Sequence, residues 1–393
     1  MGDAWTLVAA AMVLFMVPGL ALFYGGMVRQ KNVLNMLLMN MYCLGVVPIV
    51  WVFLGYSLSS GTDSSIIGNF DFVGLQDVGD DELGGFAFGL TFAVITPALI
   101  SGAVADRMKF SAWAIFVPIW SLVVYVPVVY WVYSGWIIDL PAHDYAGGTA
   151  IHINAGVAAL ALVLVLGKRT GWPQATGRPH NLVLTMLGAG ILWFGWFFFN
   201  AGAAGDGATA AQAFLSTFLA GAAGMLGWMA AETVRDKKAT TLGAASGIVA
   251  GLVAITPAVT FVGQLASLLI GGIAGVVCYL AVSLKFRFGY DDSLDVVGVH
   301  MVGGLVGGLL IGFLADASAG PDGDFDAEGI FFGGGELLFN QILSMVAVLV
   351  FSGVVTYAIA KILDATMGLR VAEEAELEGL DVSEHGEIGY TMD

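Results

Sequence analysis

Eleven segments of this 393-residue chain are long and apolar enough to cross a lipid bilayer as helices. A hydrocarbon core about 30 Å thick requires roughly 20 apolar residues per helix. Only 11% of the residues are charged, against about 25% in soluble domains, so the chain has too little polar surface to face water all round. We therefore predict an all-α polytopic membrane protein with eleven transmembrane helices. The predicted spans are residues 4–27, 33–57, 85–105, 110–133, 145–166, 182–200, 208–231, 241–257, 261–284, 294–315 and 334–363.

The placement of the basic residues predicts the orientation of these spans. All fourteen follow spans 1, 3, 5, 7, 9 or 11, whereas the connections after spans 2 and 10 carry acids. The positive-inside rule then places the N-terminus outside and the C-terminus in the cytoplasm. No cleavable signal peptide is predicted, because the first basic residue is Arg29. The acids in question are Asp63, Asp71, Asp77, Asp80, Asp81 and Glu82 after span 2, and Asp316, Asp322, Asp324, Asp326 and Glu328 after span 10.

The remaining composition argues against several kinds of site. The net charge of −17 indicates an acidic, solvated surface, of which adaptation to high salt is one version. Cys43 and Cys278 both lie within spans, so neither a disulfide nor a metal site is predicted. No HExxH, P-loop, GxSxG or paired-carboxylate motif is present, so an enzyme finds no support. We expect no cofactor and no nucleic-acid partner.

The spans divide into two sets of five, followed by span 11. Because five is odd, the second set crosses the membrane in the opposite sense, which is the arithmetic of an inverted repeat. We therefore predict a transmembrane domain over residues 1–363, with repeats at 4–166 and 182–315 and span 11 at 334–363. Residues 364–393 form a cytoplasmic tail. A weak echo between residues 19–26 and 195–202 agrees with the repeat.

Two histidines occupy matching places in the repeats. His152 follows Asp144 by eight residues, and His300 follows Asp292 at the same spacing. Eight helical residues rise roughly 12 Å, so each histidine should reach about mid-membrane, one from each face. Paired ionisable groups at that depth indicate a functional site, although a single buried histidine can simply be satisfied by a neighbouring helix. Asp144 and Asp292 could cap their helices, and such a role does not exclude one near a pathway.

Seven blocks of the sequence resemble the Amt/Rh family, and specifically its ammonium transporter branch. The resemblance implies eleven helices and a homotrimer with one conducting pore per subunit. The blocks are "PGLALFYGGMVRQKNVLNM" (18–36), "TFAVITPALISGAVADRMKFSAW" (91–113), "DYAGGTAIHINAGVAAL" (144–160), "LWFGWFFFNAGAAG" (192–205), "LGAASGIVAGLVAITPA" (242–258), "DDSLDVVGVHMVGGLVG" (291–307) and "LRVAEEAELEGLDVSEHGE" (369–387).

The resemblance also assigns roles to individual positions. His152 and His300 match the paired pore histidines, Asp144 matches the aspartate near the external recruitment site, and Phe92 and Phe199 match the stacked rings that close the outer mouth. Two positions differ from the common pattern: Tyr133 stands where the family often has Trp, and Ala203 where it often has Ser. These differences put the external affinity in doubt.

Energies favour deprotonation before passage. A bare ammonium ion in a low-dielectric tube loses hydration worth tens of kcal/mol. Removing its proton near neutral pH costs roughly 3–5 kcal/mol, because an alkylammonium such as lysine titrates near ~10.4. Aromatic faces at Phe92 and Tyr133 can each hold the cation with about 0.5–2 kcal/mol. A neutral imidazole offers one donor and one acceptor, which suits ammonia and can relay a proton.

Three points stay open at this stage. A sensor of the same family and an Rh-like gas channel are alternatives to a transporter in the cytoplasmic membrane, and uptake of the analogue methylammonium separates them. The net transported species, ammonia or ammonium, is a second. The third is the tail, whose nine acids and one base favour disorder. Its resemblance to the family's tail implies docking of a PII-type nitrogen regulator instead, through Leu377, Leu380 and Val382, with Lys168, Arg169, Lys237 and Lys238 as counter-charges.

Overall fold

The computed structural model describes residues 2–61, 64–80, 82–174, 177–320 and 328–391. Asp63, Asp81, Asp322, Asp324 and Asp326, which contribute to the acidic connections above, lie outside the described residues. The fold is all-helical, with 73% of the residues in helices. Within the described ranges there is no strand, and a single isolated bridge pairs Met108 with Arg370.

Ten of the helices in the described part of the chain are long and apolar enough to cross a membrane, and one further apolar helix is shorter. They follow the predicted spans to within a few residues. In chain order they are α1 (Asp3–Met27), α2 (Gln30–Ser59), α3 (Leu83–Val104), α4 (Phe110–Tyr133), α5 (Gly148–Leu166), α6 (Leu182–Ala201), α7 (Gly207–Asp236), the shorter α8 (Thr241–Ile255), α9 (Gln264–Phe288), α10 (Val297–Leu314) and α11 (Glu336–Met367).

Helix α8 is short for a local reason. The Thr240 side chain accepts the Gly243 N–H and caps its start. The helix ends at Ile255, two residues before Pro257, which has no N–H to donate to a continuing helix. The described helices therefore do not by themselves establish a count of eleven spans, and that count stays a prediction.

Small residues bring α7, α8 and α9 into backbone contact. Each helix carries two of them four residues apart: Ala220 and Gly224 in α7, Gly247 and Gly251 in α8, and Gly271 and Gly275 in α9. A side chain at Gly271 would collide with the Ala220 backbone, and one at Gly275 would collide with Gly224. Such spacing lets membrane helices approach closely enough for backbone packing.

Residues 368–391 fold back against one end of the bundle, which we call the tail face. They form two short helices, α12 (Glu373–Glu378) and α13 (Leu380–His385). Three tail carboxylates accept backbone N–H groups from the connection after α5, from the first turns of α2 and from the start of α4. The bonds are Glu376 to Thr170 N at 2.7 Å, Asp381 to Leu34 N at 3.1 Å and Asn35 N at 2.8 Å, and Glu384 to Phe110 N at 3.0 Å.

This docking changes the view of the tail. The described tail residues are folded against the bundle, although their composition favours disorder. Leu380 is fully buried against the chain itself, so it is not available as part of an exposed docking strip. Leu377 and Val382 are exposed. Arg169 is also unavailable as a free counter-charge, because its guanidinium pairs with Asp291 and Asp106.

The glycine contacts give a matched test within one helix. Gly271→Ala should destabilise the protein by about 1–3 kcal/mol, because the added methyl group overpacks against the Ala220 backbone. The next residue, Gly272, has open space around its Cα, so Gly272→Ala should be neutral or stabilising by up to about 1 kcal/mol. Apparent melting temperatures of the purified variants in detergent measure both changes. Equal shifts for the two variants would contradict close packing at Gly271.

Candidate functional site

His152 and His300 lie side by side in the interior of the bundle. The two Nδ1 atoms are 3.3 Å apart, and the ring centroids are 5.3 Å apart at an angle of 22°. Both side chains are buried, with 1% and 4% of their surface exposed. At this separation one neutral imidazole can donate its N–H to the other. His152 Nε2 has no hydrogen-bond partner within the described residues.

The two histidines are presented by the same local structure. Each lies in a short π-helical turn, Gly148–Ile153 for His152 and Val297–Met301 for His300. A 13-residue α-helix follows each turn, Asn154–Leu166 and Val302–Leu314. A π-turn inside an α-helix is rare and is frequent at functional sites. The equal spacing of the two Asp–His pairs in the sequence thus corresponds to equal backbone geometry.

Two buried carboxylates hold these turns. Asp144 accepts the N–H groups of Gly147, Gly148, Thr149 and Ala150 at 2.6–2.9 Å. Gly147 has φ +108, a left-handed value that favours glycine and lets the chain curl round the carboxylate. Burial raises the pKa of Asp144, and the four N–H bonds oppose that rise. The structure thus gives Asp144 a capping role.

Asp292 does the same for the second turn. Its carboxylate accepts Val296 N at 3.1 Å and Val297 N at 2.8 Å. Burial raises its pKa, and the nearby Lys285 ammonium opposes the rise. Capping is therefore the role that the contacts of both aspartates display.

A row of aromatic rings leads to the histidines from the face opposite the tail. The rings of Phe92 and Phe199 are 4.5 Å apart, and Phe199 lies 6.0 Å from His152 at an angle of 20°. Phe88 packs edge-on against Phe92 at 4.7 Å. Both Phe92 and Phe199 are buried. The two phenylalanine rings therefore form a buried stack beside the histidine pair.

Trp196 belongs to the site, and the sequence reasoning missed it. Its ring stacks on His152 at 5.3 Å and contacts Phe199 at 5.4 Å. Its indole N–H donates to Thr256 Oγ1 at 2.8 Å, which anchors the ring. Its position three residues before Phe199 places both side chains on one face of α6. That spacing is the signal that could have identified Trp196.

A small apolar cavity of about 10 Å³ lies between Phe199 and the two histidines. This volume is near the lower limit for one water molecule, about 10–15 Å³. Apart from the histidines and Trp196, its walls are aliphatic or phenyl side chains from α1, α3, α5, α6 and α8, including Met16, Leu20, Phe23, Ile95 and Leu99. Such a cavity accepts a small neutral molecule and offers a bare cation almost no solvation.

Tyr133 and Ala203 lie further from the histidines. Tyr133 is the last residue of α4, and 39% of its surface is exposed. Among the described residues no ring contact joins it to Phe92 or Phe199. Ala203 is exposed just beyond the end of α6, and the neighbouring Gly202 packs against the Phe88 ring. These two residues therefore do not line the cavity.

The other histidines are not part of the pair. His143 stacks on Phe261 at 4.4 Å, His180 contacts Val28 O and Tyr390, and His385 contacts Asn35. The described residues contain no cluster of three or more His, Cys, Asp or Glu side chains that could hold a metal ion. Cys43 and Cys278 are free and buried.

Comparisons with known proteins show which family this chain resembles. A sequence profile of the Ammonium Transporter Family matches residues 4–390. An ammonium transporter of Mycobacterium tuberculosis strain H37Rv is 52% identical, covering 99% of this chain and 90% of its own length. The ammonium transporter of Bacillus subtilis strain 168 is 46% identical, covering 99% and 98%.

Solved structures give the same result. The crystal structure of Saccharomyces cerevisiae Mep2 superposes with a TM-score of 0.88 at 33% identity, over 95% of this chain and 87% of that one. A structure described as a sensor Amt protein superposes with a TM-score of 0.90 at 26% identity, over 98% of both chains.

Proposed function

This chain belongs to the ammonium transporter family, and from that premise we propose that it moves ammonium across the cytoplasmic membrane. In the proposed mechanism, external ammonium is recruited at an aromatic mouth and gives up its proton to the water that reaches this exposed surface. Ammonia then passes through an apolar pore along His152 and His300. The chain is a multi-pass membrane protein, and its relatives are named transporters, so it is not an enzyme.

The observation that carries this proposal is the apolar cavity that ends at the histidine pair. Its walls offer a cation no carboxylate and few polar atoms, so an ammonium ion would lose hydration worth tens of kcal/mol there. Deprotonation near neutral pH costs only about 3–5 kcal/mol by comparison with an alkylammonium group. The unpaired His152 Nε2 can then hydrogen-bond the neutral molecule in transit.

The entrance residues receive their proposed roles from the family pattern and from their positions. Phe92 and Phe199 exclude water and bulk ions, because their buried rings lie across the route. Tyr133 and the exposed Ala203 line the external approach, where an aromatic face can hold a cation. Asp144 acts indirectly, because all of its described hydrogen bonds go to the backbone of the His152 turn.

We extend the proposal to topology and assembly. The shorter helix Thr241–Ile255 serves as the eighth of eleven spans, because its 15 residues rise about 22 Å and the buried residues 256–262 continue from its end. The basic connections then put the N-terminus outside and the tail face in the cytoplasm. Residues 1–363 form the transport domain with its inverted repeat, and 364–393 the regulatory tail. The resemblance supports a homotrimer with one pore per subunit, which native mass spectrometry of the solubilised protein would test.

A sensor is the second candidate function. The observation in its favour is the sensor Amt protein among the structural neighbours, at 26% identity. An Rh-like gas channel has less support, since the tail block resembles the transporter branch. Rapid uptake of labelled methylammonium by cells that lack their own transporters would favour the transporter. Binding without uptake would favour the sensor.

The histidine pair provides the first test of the mechanism. Substituting either His152 or His300 by Ala should remove most ammonium conduction, because the two imidazoles act as one unit at 3.3 Å. The double substitution should add little to either single loss. Initial rates of ammonium-driven flux into proteoliposomes, normalised to folded protein, measure the effect. Two small losses that simply add would show that the histidines work independently.

The entrance gives a second test. Ala203→Ser combined with Tyr133→Trp should lower the half-saturating ammonium concentration, because a hydroxyl and a stronger aromatic face are restored to the mouth. The maximal rate should change little, since neither residue lines the cavity. Conversion of the exposed Ile138 to Trp serves as a control for an added indole at the same face. An unchanged half-saturation concentration would show that recruitment is governed elsewhere.

The tail gives a third test, of docking by a PII-type regulator on the tail face. Leu377 and Val382 are the exposed members of the predicted strip, so Leu377→Ser with Val382→Ser should reduce recovery of the cell's own PII protein on immobilised transporter. Adenine nucleotide and 2-oxoglutarate are varied in the binding buffer. The matched control is Leu83→Ser, an exposed leucine at the start of α3, the end of that helix farthest from the tail. Equal recovery with the tail variant and the wild type would exclude the strip as the docking element.

A further inference from the structure

Arg107 joins the two histidine-bearing helices at the tail face. Its side chain is completely buried, in the connection between α3 and α4. The guanidinium Nε donates to Gly167 O at 2.9 Å, directly after the end of α5. Nη2 donates to Asp291 O at 2.6 Å and Nη1 to Ser293 Oγ at 2.7 Å, just before α10 begins. One cation therefore bridges the end of the His152 helix and the start of the His300 helix.

Gln341 makes the corresponding bridge near the opposite face. It is buried in the first part of α11. Its Oε1 accepts His143 N at 2.6 Å, and its Nε2 donates to His143 O at 2.9 Å, one residue before Asp144. The same Nε2 donates to Gly308 O in α10 at 3.2 Å. Gln341 thus joins the residues just before α5, which carries His152, to the second half of α10, which follows the His300 turn.

At the tail face Arg169 adds to the Arg107 bridge, because it lies just after α5 and its N–H and guanidinium donate to the Asp291 carboxylate just before α10. Along the rest of their length α5 and α10 pack through small and apolar residues, with Gly156 against Met301 and Gly304 against Ile153. Apolar contact is not directional, so it holds two helices together without defining how far one slides along the other. Hydrogen bonds are directional, and they weaken steeply when angle or distance departs from the optimum. Since α5 and α10 run in opposite directions, a slide along their axes moves His152 away from His300. Bridges at both ends resist that slide.

We propose that Arg107 and Gln341 are positioning residues for the histidine pair, setting the relative height of the two helices and so the separation of the imidazoles. The proposal rests on the proposed function, because it concerns the site through which ammonia passes. Neither residue lines the cavity or touches either imidazole. Arg107 stays a cation at neutral pH, since burial lowers its pKa only to about 10.

The experiment compares each positioning residue with a matched residue of the same type. Arg107→Gln is paired with Lys109→Gln, which removes the same charge from the same connection but from a side chain that donates to Met367 O in α11. Gln341→Met is paired with Gln212→Met, a buried glutamine bonded to Thr260 O and Val262 O on neither histidine helix. Arg107→Lys tests partial rescue, and Ser293→Ala removes a single acceptor should Arg107→Gln fail to fold.

Two measurements separate positioning from mere stability. The first is the initial rate per folded molecule in proteoliposomes for ammonium and for methylammonium. The second is the histidine nitrogen spectrum of labelled protein by solid-state NMR, which reports the Nδ1–Nδ1 hydrogen bond directly. We expect Arg107→Gln and Gln341→Met to lower the rate about tenfold or more, because a misplacement of 1 Å can cost roughly 100-fold. We also expect an altered ratio of the two substrates and loss of the hydrogen-bonded Nδ1 signal.

Lys109→Gln and Gln212→Met should change neither measurement, and Arg107→Lys should recover part of both. The proposal is overturned if folded Gln341→Met shows the wild-type rate and the wild-type nitrogen signals, and if folded Arg107→Gln does so as well. Ser293→Ala takes the place of Arg107→Gln in this comparison if Arg107→Gln does not fold. A lower yield with an unchanged rate per folded molecule would also overturn it, because that is the result of a purely structural role. If the wild-type protein moves no ammonium, the proposed function fails, and the nitrogen spectra alone still decide whether these residues set the pair.

Discussion

A chain surrounded by lipid must satisfy its backbone N–H groups from within itself, and the histidine pair depends on how two aspartates meet that requirement. The π-helical turns that present His152 and His300 leave N–H groups without regular helical partners. Asp144 and Asp292 accept them inside the fold. Because both turns begin on a buried carboxylate, the two imidazoles reach the same place from opposite ends of the bundle. The apolar walls around them are possible only because these polar groups are already paired.

Much of this arrangement could be predicted from the sequence, because it follows from periodic or repeated patterns. Long apolar segments give helix bounds to within a few residues, and the equal Asp–His spacing points to paired sites. The π-turns could not be predicted, since they depend on hydrogen bonds between side chains and backbone that no spacing rule describes. Trp196 could not be predicted as a site residue, because it lies in a run of aromatic residues and the sequence does not indicate which of these rings contacts His152. The end of α8 at Ile255 could not be predicted from Pro257 alone, because Pro18, Pro48, Pro97 and Pro118 lie inside other helices of this chain.

The tail shows how composition can mislead. Nine acids against one base describe a segment that repels itself and stays extended in water. In the folded protein, several of those acids accept hydrogen bonds, which a count of charges does not take into account. Glu376, Asp381 and Glu384 accept backbone N–H groups at connections and helix starts, where the helix dipole also favours negative charge. Leu380 is buried beside them, so the strip that spacing suggested is only partly exposed.

The reach of Asp381 has a consequence for biosynthesis. It caps the start of α2 from 346 residues further along the chain. At about 5–20 residues per second, roughly 20–70 s pass between synthesis of Asn35 and arrival of the carboxylate that accepts its N–H. The spanning helices from α3 to α11 are made in that interval, while the N–H groups at the start of α2 lack this acceptor. Premature termination between residues 367 and 381 therefore leaves a protein whose spanning helices are all present but in which the start of α2 lacks this carboxylate.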